Sequence, residues 1–181
     1  YPPYKYIMEG DTPSFLNLID NGLGGDADPS YGGWGGRYES YQSYAETRPI
    51  HTNARDTISL PGGVNHTSAQ ATIWRWRKAF QSDFAARMDW CATGDYGKAN
   101  HPPVAAIEDD KSTNLVRLAA LPGKTVELSA GESEDPDGDT LTYRWFVYPE
   151  ASTYSGASSV DIKDPYSSSV RFEIPEASKE D

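Results

Sequence analysis

Met8-Glu9-Gly10-Asp11-Thr12-Pro13-Ser14-Phe15-Leu16-Asn17-Leu18-Ile19 decides how the first part of the chain is read. Just before it, Tyr6-Ile7-Met8 is a short apolar run of the kind that ends a buried strand. Thr12 suits a helix N-cap, Pro13 suits the first turn, where its missing N–H costs nothing, and Gly22 suits a C-terminal stop with Leu23 folding back. A helix is therefore expected over roughly Pro13 to Asp20, with Phe15, Leu16, Leu18 and Ile19 on its buried side. Glu9-Gly10-Asp11 then falls on a strand-to-helix loop, where α/β proteins hold ligands at the carboxyl ends of their strands. Asp11 has two readings at this point: a cap for the first helical turn, or a group facing a site.

Downstream, a region rich in Gly, Tyr and Pro reads as one long loop from Gly22 to His66. Loops of that length are functional or need a partner surface. Within it, Tyr31-Gly32-Gly33-Trp34-Gly35-Gly36-Arg37-Tyr38 places aromatics and an arginine among glycines. Trp34, Tyr31 and Tyr38 are candidates for sugar stacking, because the axial C–H face of a pyranose packs on a ring; they equally suit burial beneath their own loop. Arg37 can offer its fork to sugar hydroxyls or a carboxylate, or can pair with an acidic residue and pin the loop. Thr67-Ser68-Ala69-Gln70 reads as a capping box opening a second helix. In that helix Ile73, Trp76, Phe80, Phe84 and Met88 form one apolar stripe, and Gly94 stops it. So aromatic a stripe needs a cover, and two helices with loops cannot close a good core. The first part is accordingly expected to be the C-terminal portion of an α/β domain whose sheet lies upstream, or else a small helical domain.

Asn100-His101-Pro102-Pro103 reads as a stiff linker. Beyond it, strands are expected at Val104–Ile107, Val116–Ala119, Thr125–Ser129, Thr140–Tyr148, Val160–Ile162 and Ser168–Ile174. Leu141, Tyr143, Trp145 and Val147 alternate with mostly polar neighbours, which makes Trp145 a core residue of a central strand. Short strands separated by Gly/Pro/Asp turns imply an immunoglobulin-like sandwich. The fold expectation is thus α+β in two parts: residues 1–99, helix and loop, then residues 100–181, all-β. Ser129–Trp145 (SAGESEDPDGDTLTYRW) also resembles extracellular bacterial sandwich modules of the polycystic-kidney-disease and cadherin-like kind, which identifies fold and setting rather than function.

Three segments carry a further resemblance: Glu9–Leu16 (EGDTPSFL), Gly32–Glu39 (GGWGGRYE) and Trp74–Trp90, in that order before a β-domain. Together they resemble secreted, cellulose-binding proteins of nucleoside-hydrolase-like type. The first also resembles the last metal-binding loop of nucleoside hydrolases. That resemblance implies that Asp11 is the final ligand of a calcium ion in the complete protein, with the main aspartate cluster upstream of this chain. It implies a carbohydrate ligand, cellulose or a related plant glycan, and a secreted, extracellular or periplasmic location. Gly10 stands where the hydrolases often have a catalytic His, a departure that puts nucleoside cleavage in doubt; Glu9 is a further candidate to reach the pocket. Whether the parent protein is an enzyme stays open, and this chain alone is expected to be inactive. The alternative is a non-catalytic carbohydrate-binding or adhesion module, and a third reading is a structural spacer.

Composition narrows the partners. The net charge of −11 over 181 residues repels phosphate backbones, so nucleic acid is not an expected partner. No apolar run approaches the roughly 18 residues of a membrane span, and no signal peptide is visible. The single Cys91, beside Trp90, reads as a buried structural thiol. Asp135, Asp137 and Asp139 space carboxylates two apart, like the start of an EF-hand loop, but the twelfth-position Glu and the following helix are missing. They are a weak calcium candidate against an ordinary turn. His51, His66 and His101 share no zinc spacing, and Asn65-His66-Thr67 is a glycosylation triplet relevant only in a eukaryote.

Overall fold

The computed structural model describes residues 13–45 and 47–176. The chain divides into two compact units, Tyr1–Ser82 and Asp83–Asp181.

In the first unit the expected helix after Pro13 is a single 3₁₀ stretch, Pro13–Leu18, and Gly22 follows with φ of 77°. The 22–66 region is not one loop. It holds two antiparallel hairpins: β1 (Tyr38–Tyr41) with β2 (Ile50–Asn53), and β3 (Asp56–Ser59) with β4 (Asn65–Ser68). Strands of four residues are too short to stand out in a sequence window, and their faces are largely exposed, so no alternation announces them. The β3–β4 turn uses Pro61-Gly62-Gly63, with Gly62 and Gly63 at φ of 90° and 76° and Leu60 N–H donating to Val64 O at 2.8 Å. Across the pair the Thr57 and Thr67 hydroxyls meet at 2.8 Å.

Thr67 is therefore a strand residue and not the helix cap. Gln70 takes the N-cap position instead, and the Oγ of Ser68 accepts the Ala71 N–H at 3.1 Å, where α1 (Ala71–Trp74) begins. After a break at Arg75-Trp76, α2 runs from Arg77 to Ala92, ending before Gly94 as expected. Ile73, Trp76 and Phe80 are half-buried, whereas Phe84 (62 %) and Met88 (47 %) are exposed, so only the first half of the stripe is covered.

In the second unit β5 (Thr125–Ser129) pairs antiparallel with β6 (Ser169–Glu173), with Val126 opposite Phe172 and Leu128 opposite Val170. The other expected strands do not form ladders among the described residues, which add only isolated bridges, Val104 with Glu134, Ile107 with Asp110 and Lys163 with Arg171. The 140–148 segment keeps the expected alternation: Leu141, Tyr143, Trp145 and Val147 are half-buried while Thr142, Arg144 and Phe146 face out. Trp145 N–H donates to Pro165 O at 2.8 Å and its indole N–H to Ser167 O at 2.9 Å. Pro165 has no N–H with which to return a bond, so a reciprocal pair cannot form there. Among the described residues the buried apolar positions of this unit are Val170 and alanines such as Ala106 and Ala130, and those of the first unit include Ala54 and Ala71; few are large side chains.

Candidate functional site

The glycine-aromatic loop is held from three sides within its unit. Asn17 Oδ1 accepts Gly35 N–H at 2.8 Å, and Asn17 Nδ2 donates to Gly36 O at 3.4 Å. Arg37 Nε donates to Asp56 Oδ1 at 2.9 Å and Nη2 to Arg55 O at 3.2 Å. Arg75 Nε lies 3.1 Å from the other oxygen of Asp56, whose side chain has no exposed surface. Tyr38 Oη donates to Gly35 O at 3.3 Å. Gly32, Gly33, Gly35 and Gly36 are buried, and a Cβ on Gly36 (φ of 108°) would lie 3.1 Å from Thr72 Oγ1 and 3.2 Å from Ile73 Cγ1. The glycines therefore let this loop lie flat on α1. Arg37 is committed to Asp56 and pins the loop, the alternative stated for it from sequence. Tyr31, Trp34 and Tyr38 are brought together on the same loop, each half-buried. Glu9 and Asp11 lie outside the described residues.

The acidic triplet closes a turn. Asp135 Oδ1 accepts the N–H groups of Asp137 (2.9 Å) and Asp139 (3.2 Å), and Gly138 takes φ of 79°. Asp137 points instead at His101: one oxygen accepts the His101 backbone N–H at 2.6 Å and the other lies 3.0 Å from Nδ1. Asp135, Asp137 and Asp139 thus do not converge, and no group of three or more His, Cys, Asp or Glu among the described residues is arranged to hold a metal ion.

That contact with Asp137 makes His101 more than a linker residue. Its ring stacks on Tyr96 (centroids 3.7 Å apart, 17° between planes) and on Trp90 (5.7 Å, 19°). Trp90 donates its indole N–H to Asn100 O at 2.8 Å and carries the Arg87 guanidinium 5.5 Å from its ring centre. These rings, with Thr93, Gly94, Asp95 and Ala99, line a cleft of about 440 Å³. The hydrogen bonds from His101 hold the Asp137 carboxyl below the usual carboxylate range. Local spacing could not reveal this grouping, since Asp137 lies 36 positions from His101; the sequence signal was Trp90 near a helix end, followed by Tyr96 and the His101-Pro102-Pro103 linker. Cys91 is exposed rather than buried, because it lies on a helix that buries only Ala86. His66 stacks on Trp74 at 5.3 Å, which gives it a packing role.

No curated protein matches this chain. A solved structure does: a nucleoside hydrolase-related hypothetical protein from Saccharophagus degradans that is associated with carbohydrate metabolism, 36 % identical, with a TM-score of 0.74 over 97 % of this chain. The chain spans 42 % of that protein's length. Residues 1–38 match the family described as cellulose-binding Sde182, nucleoside hydrolase-like domain, and residues 125–181 match that described as cellulose-binding protein Sde0182, C-terminal domain, so both ends of the chain are similar to parts of one kind of protein.

Proposed function

We propose that the chain is the C-terminal part of a secreted, nucleoside-hydrolase-like protein that binds carbohydrate, cellulose or a related plant glycan, and that the upstream part of the same protein completes its first domain. The carrying observation is the pair of matches at residues 1–38 and 125–181 to two domains of cellulose-binding proteins. Exposed apolar side chains support the upstream partner: Leu18 is 84 % exposed, and Phe15, Phe84 and Met88 are exposed as well. Residues 100–181 are read as an immunoglobulin-like module, supported by the in–out alternation from Leu141 to Val147. Aromatics on and after the glycine loop, Trp34, Tyr38, Tyr41 and Tyr44, offer ring faces to a glycan.

Calcium at Asp11 would need ligands from upstream, since the described residues supply no such set. The chain by itself is expected to bind and not to hydrolyse. Retention of the 181-residue chain on insoluble cellulose, weakened by Trp34→Ala, tests the reading; failure to be retained on cellulose sinks it. EDTA-sensitive release of a base or sugar from nucleosides would instead place a complete hydrolytic site within these residues.

A further inference from the structure

We propose that the cleft at the C-terminal end of α2 is a pyranose subsite for a β-linked glucan chain. Tyr96 forms its stacking surface, Trp90 forms its wall, and Asp95 and His101 form its hydrogen-bonding edge. The proposal rests on the carbohydrate-binding reading and assigns that function to residues outside the glycine-aromatic loop.

Tyr96 is 66 % exposed, yet its ring is held by the stack on His101 at 3.7 Å. His101 is in turn fixed at two points by the one carboxylate of Asp137, through its backbone N–H and its ring. Trp90 is fixed by its indole N–H bond to Asn100 O. Rings immobilised before a ligand arrives lose little freedom on binding, which is the condition under which exposed aromatics become good anchors. A β-linked glucopyranose presents flat C–H faces above and below its ring and hydroxyls around its edge. The cleft has both halves of that complement. Nδ1 of His101 lies 3.0 Å from the Asp137 carboxylate, which as an acceptor takes the ring proton there; the ring lines the cleft with its side chain 11 % exposed, and Nε2 is the nitrogen left for a sugar hydroxyl. Asp95 lies at the rim with its side chain 58 % exposed; its Oδ1 accepts Gly97 N–H at 3.2 Å and its Oδ2 lies 3.2 Å from Lys98 Nζ. Carboxylates in that setting retain lone pairs for a sugar's paired hydroxyls. The volume of about 440 Å³ lies within the roughly 300–1,000 Å³ usual for small-ligand sites. By contrast the Tyr38 hydroxyl is spent on its own loop.

Gly94 provides a clean block. It lines the cleft, a Cβ at this position meets nothing within 4 Å, and its φ is not positive, so a larger side chain fits there without strain. The test is calorimetric titration of the 181-residue chain with cellohexaose, alongside Tyr96→Ala, Gly94→Leu and Trp34→Ala, with melting curves as a folding control. Tyr96→Ala and Gly94→Leu should each weaken binding about tenfold, as expected for loss of an aromatic anchor. If Tyr96→Ala fails to fold, Gly94→Leu alone decides. Wild-type affinity in the folded cleft variants, with loss only in Trp34→Ala, overturns this subsite and leaves the carbohydrate-binding reading standing. Absence of cellohexaose and cellulose binding by the wild-type chain overturns both.

Discussion

Asp56 has no exposed surface and sits between two guanidinium groups, 2.9 Å from Arg37 Nε and 3.1 Å from Arg75 Nε, themselves only 10 % and 14 % exposed. Removing one member of a buried ionic group leaves the others uncompensated, at a typical cost of about 3–5 kcal/mol. Asp56→Ala should therefore lower the unfolding free energy by roughly 3 kcal/mol in urea titration; an unchanged midpoint would show that solvent reaches the arginines. Gly36→Ala should also destabilise, by about 1–3 kcal/mol, because φ of 108° and the Thr72 hydroxyl at 3.1 Å both oppose a Cβ. Asp137 behaves differently, since its contribution depends on pH. Its pKa is held low by hydrogen bonds from His101, so the folded state favours the ionised form. That stabilisation is present above the ordinary carboxylate value near 4 and is lost as pH falls below it. Melting temperature should drop on acidification through that range, and Asp137→Asn should flatten part of the drop. An acid limb identical in the variant and the wild type would remove the linkage.

At the level of elements, pairing and burial part company. The 140–148 segment has the burial alternation of a strand without the ladder, because Pro165 faces its Trp145. The β5–β6 pair has both, and its tightest point is Val170, 1 % exposed and opposite Leu128. Val170→Ala removes two methyl groups from a site that cannot readily collapse and should cost about 2 kcal/mol. Thermal melting of the variant checks this; a loss under half that figure would mean the pair is not the stabilising element of its unit. The hairpins of the first unit were not readable from sequence because four-residue strands with exposed faces leave no period to detect.

For the molecule as a whole, large apolar side chains stand exposed in both units among the described residues. Phe84 and Met88 are one helical turn apart on α2 and both exposed. If no surface of this chain covers them, Phe84→Glu with Met88→Lys should leave the melting temperature within a few degrees and reduce self-association in light scattering; a large destabilisation would show that they are packed after all. The sequence alone was enough to mark the Gly94 stop, the Thr125–Ser129 strand and the in–out rhythm around Trp145, because each depends on neighbours within one or two turns of chain. The same is true of the segments whose resemblance pointed to a cellulose-binding, nucleoside-hydrolase-like protein. Tertiary structure alone decided that Arg37 belongs to Asp56, that Asp137 belongs to His101 and not to Asp135 and Asp139, and that Trp90, Tyr96 and His101 enclose a cleft. Those partners lie 19, 36 and up to 11 positions apart, and hydrogen bonds and stacking act over a few ångströms of space, a distance that residue spacing outside a regular helix or strand does not encode.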